Sequence, residues 1–266
     1  LGTYLNSSHL ASSEVGALWR TSASMSDFTS GLMNLPLYKS MAFTLTYTFV
    51  VTPLVIIVGF FIALGVNAIP GMIKGPVIFF SLLPMIVTPL IGSLVLFWMI
   101  DSNGILGASL QRLLNDPGLT LKASPTLTWT VLMVYGVWHA APFSFIVYYA
   151  GLQGVPKDTL ESAMIDGASR WERVRFVVIP HLIPLTTFIA LMQLMDNFRV
   201  LEPIVGFSVE ANATSLSFLI YNDLRGAETP LFGSAGATSM LTIFGVVILL
   251  MPVLLRTWRD FNRKAH

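Results

Sequence analysis

Five stretches of the chain run almost without charge at lengths that suit helices rather than strands: Met41–Val66, Pro76–Met99, Leu127–Ala150, Val177–Leu201 and Ala237–Leu255. Crossing a hydrocarbon core takes about 20 apolar residues in a helix, so each is read as one transmembrane span. β-Barrel strands would alternate apolar and polar positions over short segments, and these do not. Prolines lie inside four of the runs (Pro53; Pro84 and Pro89; Pro142; Pro184), and Pro252 stands near the end of the fifth. Inside a helical bundle the carbonyls they free can be satisfied by neighbours, and the kinks open crevices.

Composition agrees with this pattern. Only 11% of the 266 residues are charged, against roughly 25% in soluble domains, and 54% are hydrophobic. Absence of cysteine excludes disulfides and thiolate chemistry. The four histidines, His9, His139, His181 and His266, are scattered, so no metal site is proposed. His139 reads as a hydrogen-bonded core residue, and Met192 and Met195 as flexible packing. The chain begins at Leu1 with no leader pattern before the first span, which leads us to expect an incomplete N-terminus, a further span upstream and six spans in the full chain.

Lys and Arg are unevenly shared. The segments Asn67–Gly75, Gly151–Phe176 and Arg256–His266 hold nine, whereas the longer segments on the opposite side hold five. The positive-inside rule places the richer side in the cytoplasm. Residues 1–40 are then an extracytoplasmic segment, 41–256 one transmembrane domain, and 257–266 a cytoplasmic tail. The outer loops 101–126 and 202–236 are sized for a small cap or docking face.

One cytoplasmic loop is dense in charge. Residues 160–175 read LESAMIDGASRWERVR. Pro156 suits a first helical turn and Asp158 complements the dipole there. Leu160, Ala163, Met164 and Gly167 recur at helical spacing, and Gly167 stands where a left-handed cap would end the helix. Ser169 and Glu172 have the spacing of a capping box, so a second helix starts near Arg170 and runs without a breaker to Pro180, continuous with the fourth of the five spans. The loop is therefore a short helix, a glycine corner and a lever. An amphipathic helix lying on anionic lipid would present a cationic face; Asp158, Glu161 and Asp166 against Lys157 fit a protein groove better.

The order Glu161-Ser162-Ala163, three residues, Gly167, nine residues, Val177-Val178-Ile179-Pro180 resembles the EAA motif of ABC importer permeases. The wider string GLQGVPKDTLESAMIDGASRWERVRFVVIP is similar to their maltose-permease-like carbohydrate-uptake branch. Ser162 stands at the second position of the motif in place of Ala, and GFSVEANAT stands where that branch carries a Gly-Gly-Gly-Pro loop. The resemblance implies an all-α, polytopic bundle of the type I importer kind in a bacterial cytoplasmic (inner) membrane. It further implies a second permease subunit, a cytoplasmic ATPase dimer holding ATP and Mg, and an extracytoplasmic solute-binding protein. Lys157–Asp166 becomes the coupling helix, with Glu161, Ser162, Ala163, Asp166 and Gly167 as its ATPase-facing residues. No G-x-x-x-x-G-K-[ST] loop occurs in the chain, so the chain itself is read as no enzyme, with no cofactor of its own.

Charges also enter the span Val177–Leu201. Asp196 and Arg199 share a helical face. Either one costs about 2.5–3.5 kcal/mol near the bilayer centre, which favours pairing or a wet cavity. They lie ~24 Å from Pro180, toward the outer leaflet. With Gln193 and Asn197 they either fix helix register or form a solute site. In the preceding span, Tyr135 and Trp138 share a face and could stack on a sugar ring. The function these features favour is ATP-driven uptake of a sugar, oligosaccharide or polyol. The alternatives are an ABC permease for glycerol phosphate, polyamine or peptide, and an ion-coupled secondary transporter with Asp196 as relay.

Overall fold

The computed structural model describes residues 24–27, 35–114, 118, 125–209, 212–225 and 232–264. The expectations for most of the N-terminal segment, for the outer-loop residues 115–117, 119–124, 210–211 and 226–231, and for the last two residues fall outside them. Among the described residues the regular structure is helical: α1 Pro36–Ala68, α2 Gly71–Ile86, α3 Pro89–Met99, α4 Ile105–Leu114, α5 Pro125–Gln153, α6 Lys157–Ile165, α7 Arg170–Arg173, α8 Ile179–Phe198, α9 Glu202–Phe207, α10 Leu216–Arg225 and α11 Phe232–Lys264.

Among the described residues, four helical stretches are long and apolar enough to cross a membrane by themselves: α1, α5, the run Arg170–Phe198 and α11. The second expected span, Pro76–Met99, departs from the reading as one straight helix. It is broken between α2 and α3, which meet at 93°. The cause is local. Pro89 disfavours helical backbone in the residue before it, and both Val87 (ψ 127°) and Thr88 (ψ 144°) are extended. Two side chains of α5 satisfy the carbonyls at the break: His139 Nε2 donates to Val87 O at 3.1 Å, and the Tyr135 hydroxyl donates to Pro89 O at 2.7 Å.

The core is a trio of α1, α5 and α8. Phe43, Tyr47, Val51 and Val55 of α1 pack with Leu132 and Tyr135 of α5. Further along, Ala63 and Val66 join Phe145, Tyr148, Leu182 and Ile189. Close approach of α1 to α5 depends on Gly59, where a Cβ would collide with Ser144 Cβ and lie 2.9 Å from Phe145 N. Small residues drive helix association in lipid this way, because apolar burial alone gives little there.

A buried polar spine runs down the same α1, with Ser40, Thr44, Thr48 and Thr52 one turn apart. Thr44 Oγ1 accepts from Leu216 N at 3.1 Å, Ser40 Oγ donates to Thr214 Oγ1 at 3.0 Å, and Asn197 Nδ2 of α8 donates to Thr52 Oγ1 at 3.0 Å. With Thr48 Oγ1 donating to Thr44 O at 2.7 Å, each hydroxyl of this spine meets a partner, as the water-free interior demands. The spine ties α8 and the start of α10 to the central helix.

Candidate functional site

Two features separate themselves from the packing: an exposed elbow at one end of α8, and a polar cavity at the other.

The elbow is built by local chemistry. Pro156 leads into α6 with Asp158 in its first turn. The helix ends in a Schellman arrangement: Ala168 N donates to Ala163 O at 2.9 Å and Gly167 N to Met164 O at 3.1 Å. Gly167 has φ +83°, the left-handed conformation that an L side chain resists. The capping box that opens α7 is complete, with Ser169 N donating to Glu172 Oε2 at 2.7 Å and Glu172 N to Ser169 Oγ at 3.3 Å. No residue of α6 is fully buried. Glu161, Ser162, Asp166 and Gly167 are exposed, and Ala163 and Leu160 are half-buried. Ile165 leaves 86% of its surface free. Exposed apolar side chains beside carboxylates make a surface that awaits a partner.

Between α7 and α8 the ladder widens. Ile179 N donates to Val174 O, five residues back, so Val174–Val178 form a π-turn. The uninterrupted helix expected from Arg170 to Pro180 is therefore continuous in direction but not in register. Pro180, which offers no N–H to the ladder, follows directly.

The cavity measures about 620 Å³, within the ~300–1,000 Å³ of small-molecule pockets. Gln193, Asp196 and Asn197 of α8 line it, with Arg199 at the C-cap of that helix and Tyr135 of α5. Arg199 Nη2 donates to Asp196 Oδ1 at 3.4 Å, and both side chains are more than half exposed, to the cavity and its mouth. Gln193 is 4% exposed, and its Oε1 has no hydrogen-bond partner. Trp138 lies elsewhere. It lines a separate apolar recess with Val95, Met99 and Val134, while Tyr135 borders both spaces. Three residues along a helix is a rotation of about 300°, enough to carry the indole past the boundary that Tyr135 occupies. The structure thus corrects the placement of Trp138 in the same cavity.

Sequence reasoning also missed wall residues. Glu202, which falls in the outer loop 202–236 of the sequence reading, lines the cavity from the first turn of α9. Tyr47, Met192 and His139 border the space as well. Glu202-Pro203 following a span is a helix-start signal, which could have drawn attention to that acid.

A family model described as "Binding-protein-dependent transport system inner membrane component" matches residues 55–260. The trehalose/maltose transport system permease protein MalF of Thermococcus litoralis is 31% identical over 139 residues, 51% of this chain and 46% of that protein. A trehalose transport system permease protein of Mycobacterium tuberculosis is 33% identical over 128 residues, 47% of this chain and 40% of that one. This chain thus spans less than half the length of either relative. Among solved structures, a bacterial ABC transporter involved in the import of the acidic polysaccharide alginate aligns with a TM-score of 0.72 at 22% identity, covering 94% of this chain and 87% of that one.

Proposed function

Because the chain belongs to the inner membrane components of binding-protein-dependent transport systems, we propose that it is a membrane-spanning subunit of an ATP-driven importer for a sugar, oligosaccharide or polyol. An extracytoplasmic binding protein delivers the solute, and a second permease subunit completes the pathway. A cytoplasmic ATPase dimer, which binds ATP and Mg, receives α6. The membrane is the bacterial inner membrane, with the elbow and the C-terminus on the cytoplasmic side.

One observation carries this reading: the exposed elbow and the polar cavity sit at opposite ends of one rod. Helix α8 spans twenty residues, ~30 Å at 1.5 Å per residue, from the π-turn beside the elbow to Asp196 and Arg199. A push on α6 is carried through the Gly167 corner and the capped start of α7 into α8. Closure of the ATPases would draw two such elbows together, rock the attached spans and turn the cavity from one face to the other. Glu161 is the polar anchor in the ATPase groove, Ser162, Ala163 and Asp166 complete that face, and Gly167 is the corner. The permease breaks no covalent bond. The names of the maltose and trehalose relatives support a saccharide class, as do the hydrogen-bonding groups of the cavity wall.

The test is purification with the neighbouring subunits, followed by ATPase assays in nanodiscs with a panel of loaded binding proteins. Stimulation by a saccharide-loaded binding protein is expected. Glu161→Ala is expected to abolish the stimulation while leaving the chain in the membrane. Unchanged stimulation in that variant, or uptake that survives ATP depletion and collapses with an ion gradient, would overturn the proposal.

A further inference from the structure

The charges of the cavity wall do not cancel, and one of its buried acceptors lacks a partner. Three of its donors are already committed to the protein. Asn197 Nδ2 donates to Thr52, His139 Nε2 to Val87 O, and the Tyr135 hydroxyl to Pro89 O. The charge of Arg199 is matched by Asp196 at 3.4 Å. Among the acceptors that remain are a buried amide oxygen without a partner, Gln193 Oε1, further lone pairs of Asp196, and the carboxylate of Glu202. The described charged side chains that line the space are Asp196, Arg199 and Glu202, one negative charge in excess. A buried acceptor without a partner is costly until a donor reaches it. Solute hydroxyls can be such donors. Carboxylates and phosphates bring acceptors only, and meet the excess negative charge of the wall.

On the premise that this cavity holds the solute, as proposed above, we infer that Glu202 is a specificity-determining residue that makes this subunit's half of the pathway favour neutral polyhydroxyl solutes and reject uronates and sugar phosphates. Rejection of the wrong solute by like charge is specificity by repulsion, distinct from affinity for the right one. The position of Glu202 suits that role: it is exposed, on the first turn of α9, in the wall it shares with the buried Gln193.

The experiment uses the assembled permease–ATPase complex in nanodiscs, arrested with ADP and vanadate, and equilibrium titration calorimetry. Maltose, trehalose and sorbitol serve as neutral probes, and galacturonate disaccharide and glucose 6-phosphate as anionic ones. Anionic probes are expected to bind at least about tenfold more weakly than neutral probes, and the gap should shrink as salt screens the charge. Glu202→Gln should close most of the gap, whereas Glu202→Asp, which keeps the charge, should retain it. Anionic probes that bind as tightly as neutral ones would overturn this inference and leave the cavity reading intact. A gap unchanged in Glu202→Gln would remove Glu202 from the role. Failure of every probe to bind would overturn the cavity reading, and the inference with it.

Discussion

Replacing Gly167 with Ala isolates the conformational cost of the elbow. A Cβ built there meets nothing within 4 Å, so no clash contributes, and the whole effect comes from holding φ at +83°. For an L residue that conformation costs roughly 1–2 kcal/mol. Part is offset, because Ala also restricts the opened chain by about 0.4–1 kcal/mol relative to Gly. The net is about 1 kcal/mol, or a roughly fivefold larger population in which the corner is open. The amide to watch is Ala168 N–H, whose bond to Ala163 O closes the corner. Hydrogen exchange on the nanodisc-embedded complex should show that amide exchanging about fivefold faster in Gly167→Ala. Gly167→Asn should fall between, since Asn tolerates the left-handed region better than other side chains. Gly65→Ala is the control of opposite sign. It lies inside α1 with open space around it, where Ala is better than Gly by roughly 0.5–1 kcal/mol. Equal exchange at Ala168 in wild type and Gly167→Ala, or an Asn variant faster than the Ala variant, would refute the left-handed corner as the basis of the elbow.

Two further predictions address the bundle. Gly59→Ala should lower the thermal midpoint of the detergent-solubilised protein, at a cost of about 1–3 kcal/mol for overpacking, and Ser144→Gly in the same chain should restore much of it; additivity of the two would show that α1 and α5 do not meet there. The double-mutant cycle of Thr52→Val and Asn197→Leu should give a coupling energy near 0.6 kcal/mol and below about 1.7 kcal/mol, the range of interhelical hydrogen bonds in membranes, read from unfolding in denaturing detergent; zero coupling would mean the bond between them does not form.

What could be read from residues alone was whatever depends on near neighbours in the chain. The elbow was legible because a glycine cap and a Ser-x-x-Glu box act within a few positions, and both Gly167 and the Ser169–Glu172 pair adopt the expected geometry. Span positions were legible because hydropathy is additive along the chain. The same additivity hid the break at Thr88: a run of apolar residues has the same hydropathy straight or bent by 93°, and only the pairing of Pro89 with the residue before it marks the corner. Which face of α5 looks into the polar cavity depended on where the break at Pro89 meets Tyr135, so Tyr135 and Trp138 parted company. Glu202 stood unremarked in an outer loop because the packing of α9 into the cavity wall is a tertiary event. The hydroxyl spine of α1 was visible as Ser and Thr every fourth residue, but its partners on α8 and beside α10 lie more than 140 positions away.

The five-residue bond from Ile179 back to Val174 changes how the two ends of this rod must be compared. A widened turn absorbs one residue without the matching rotation, so the segment before it is turned by roughly 100° against the segment after it. A helical-wheel projection drawn straight through Arg170–Phe198 would assign Trp171 and Arg175 to the wrong side. Cross-linking pairs or engineered interfaces on the cytoplasmic portion therefore need a phase of their own, counted from Ser169 rather than carried down from Asp196.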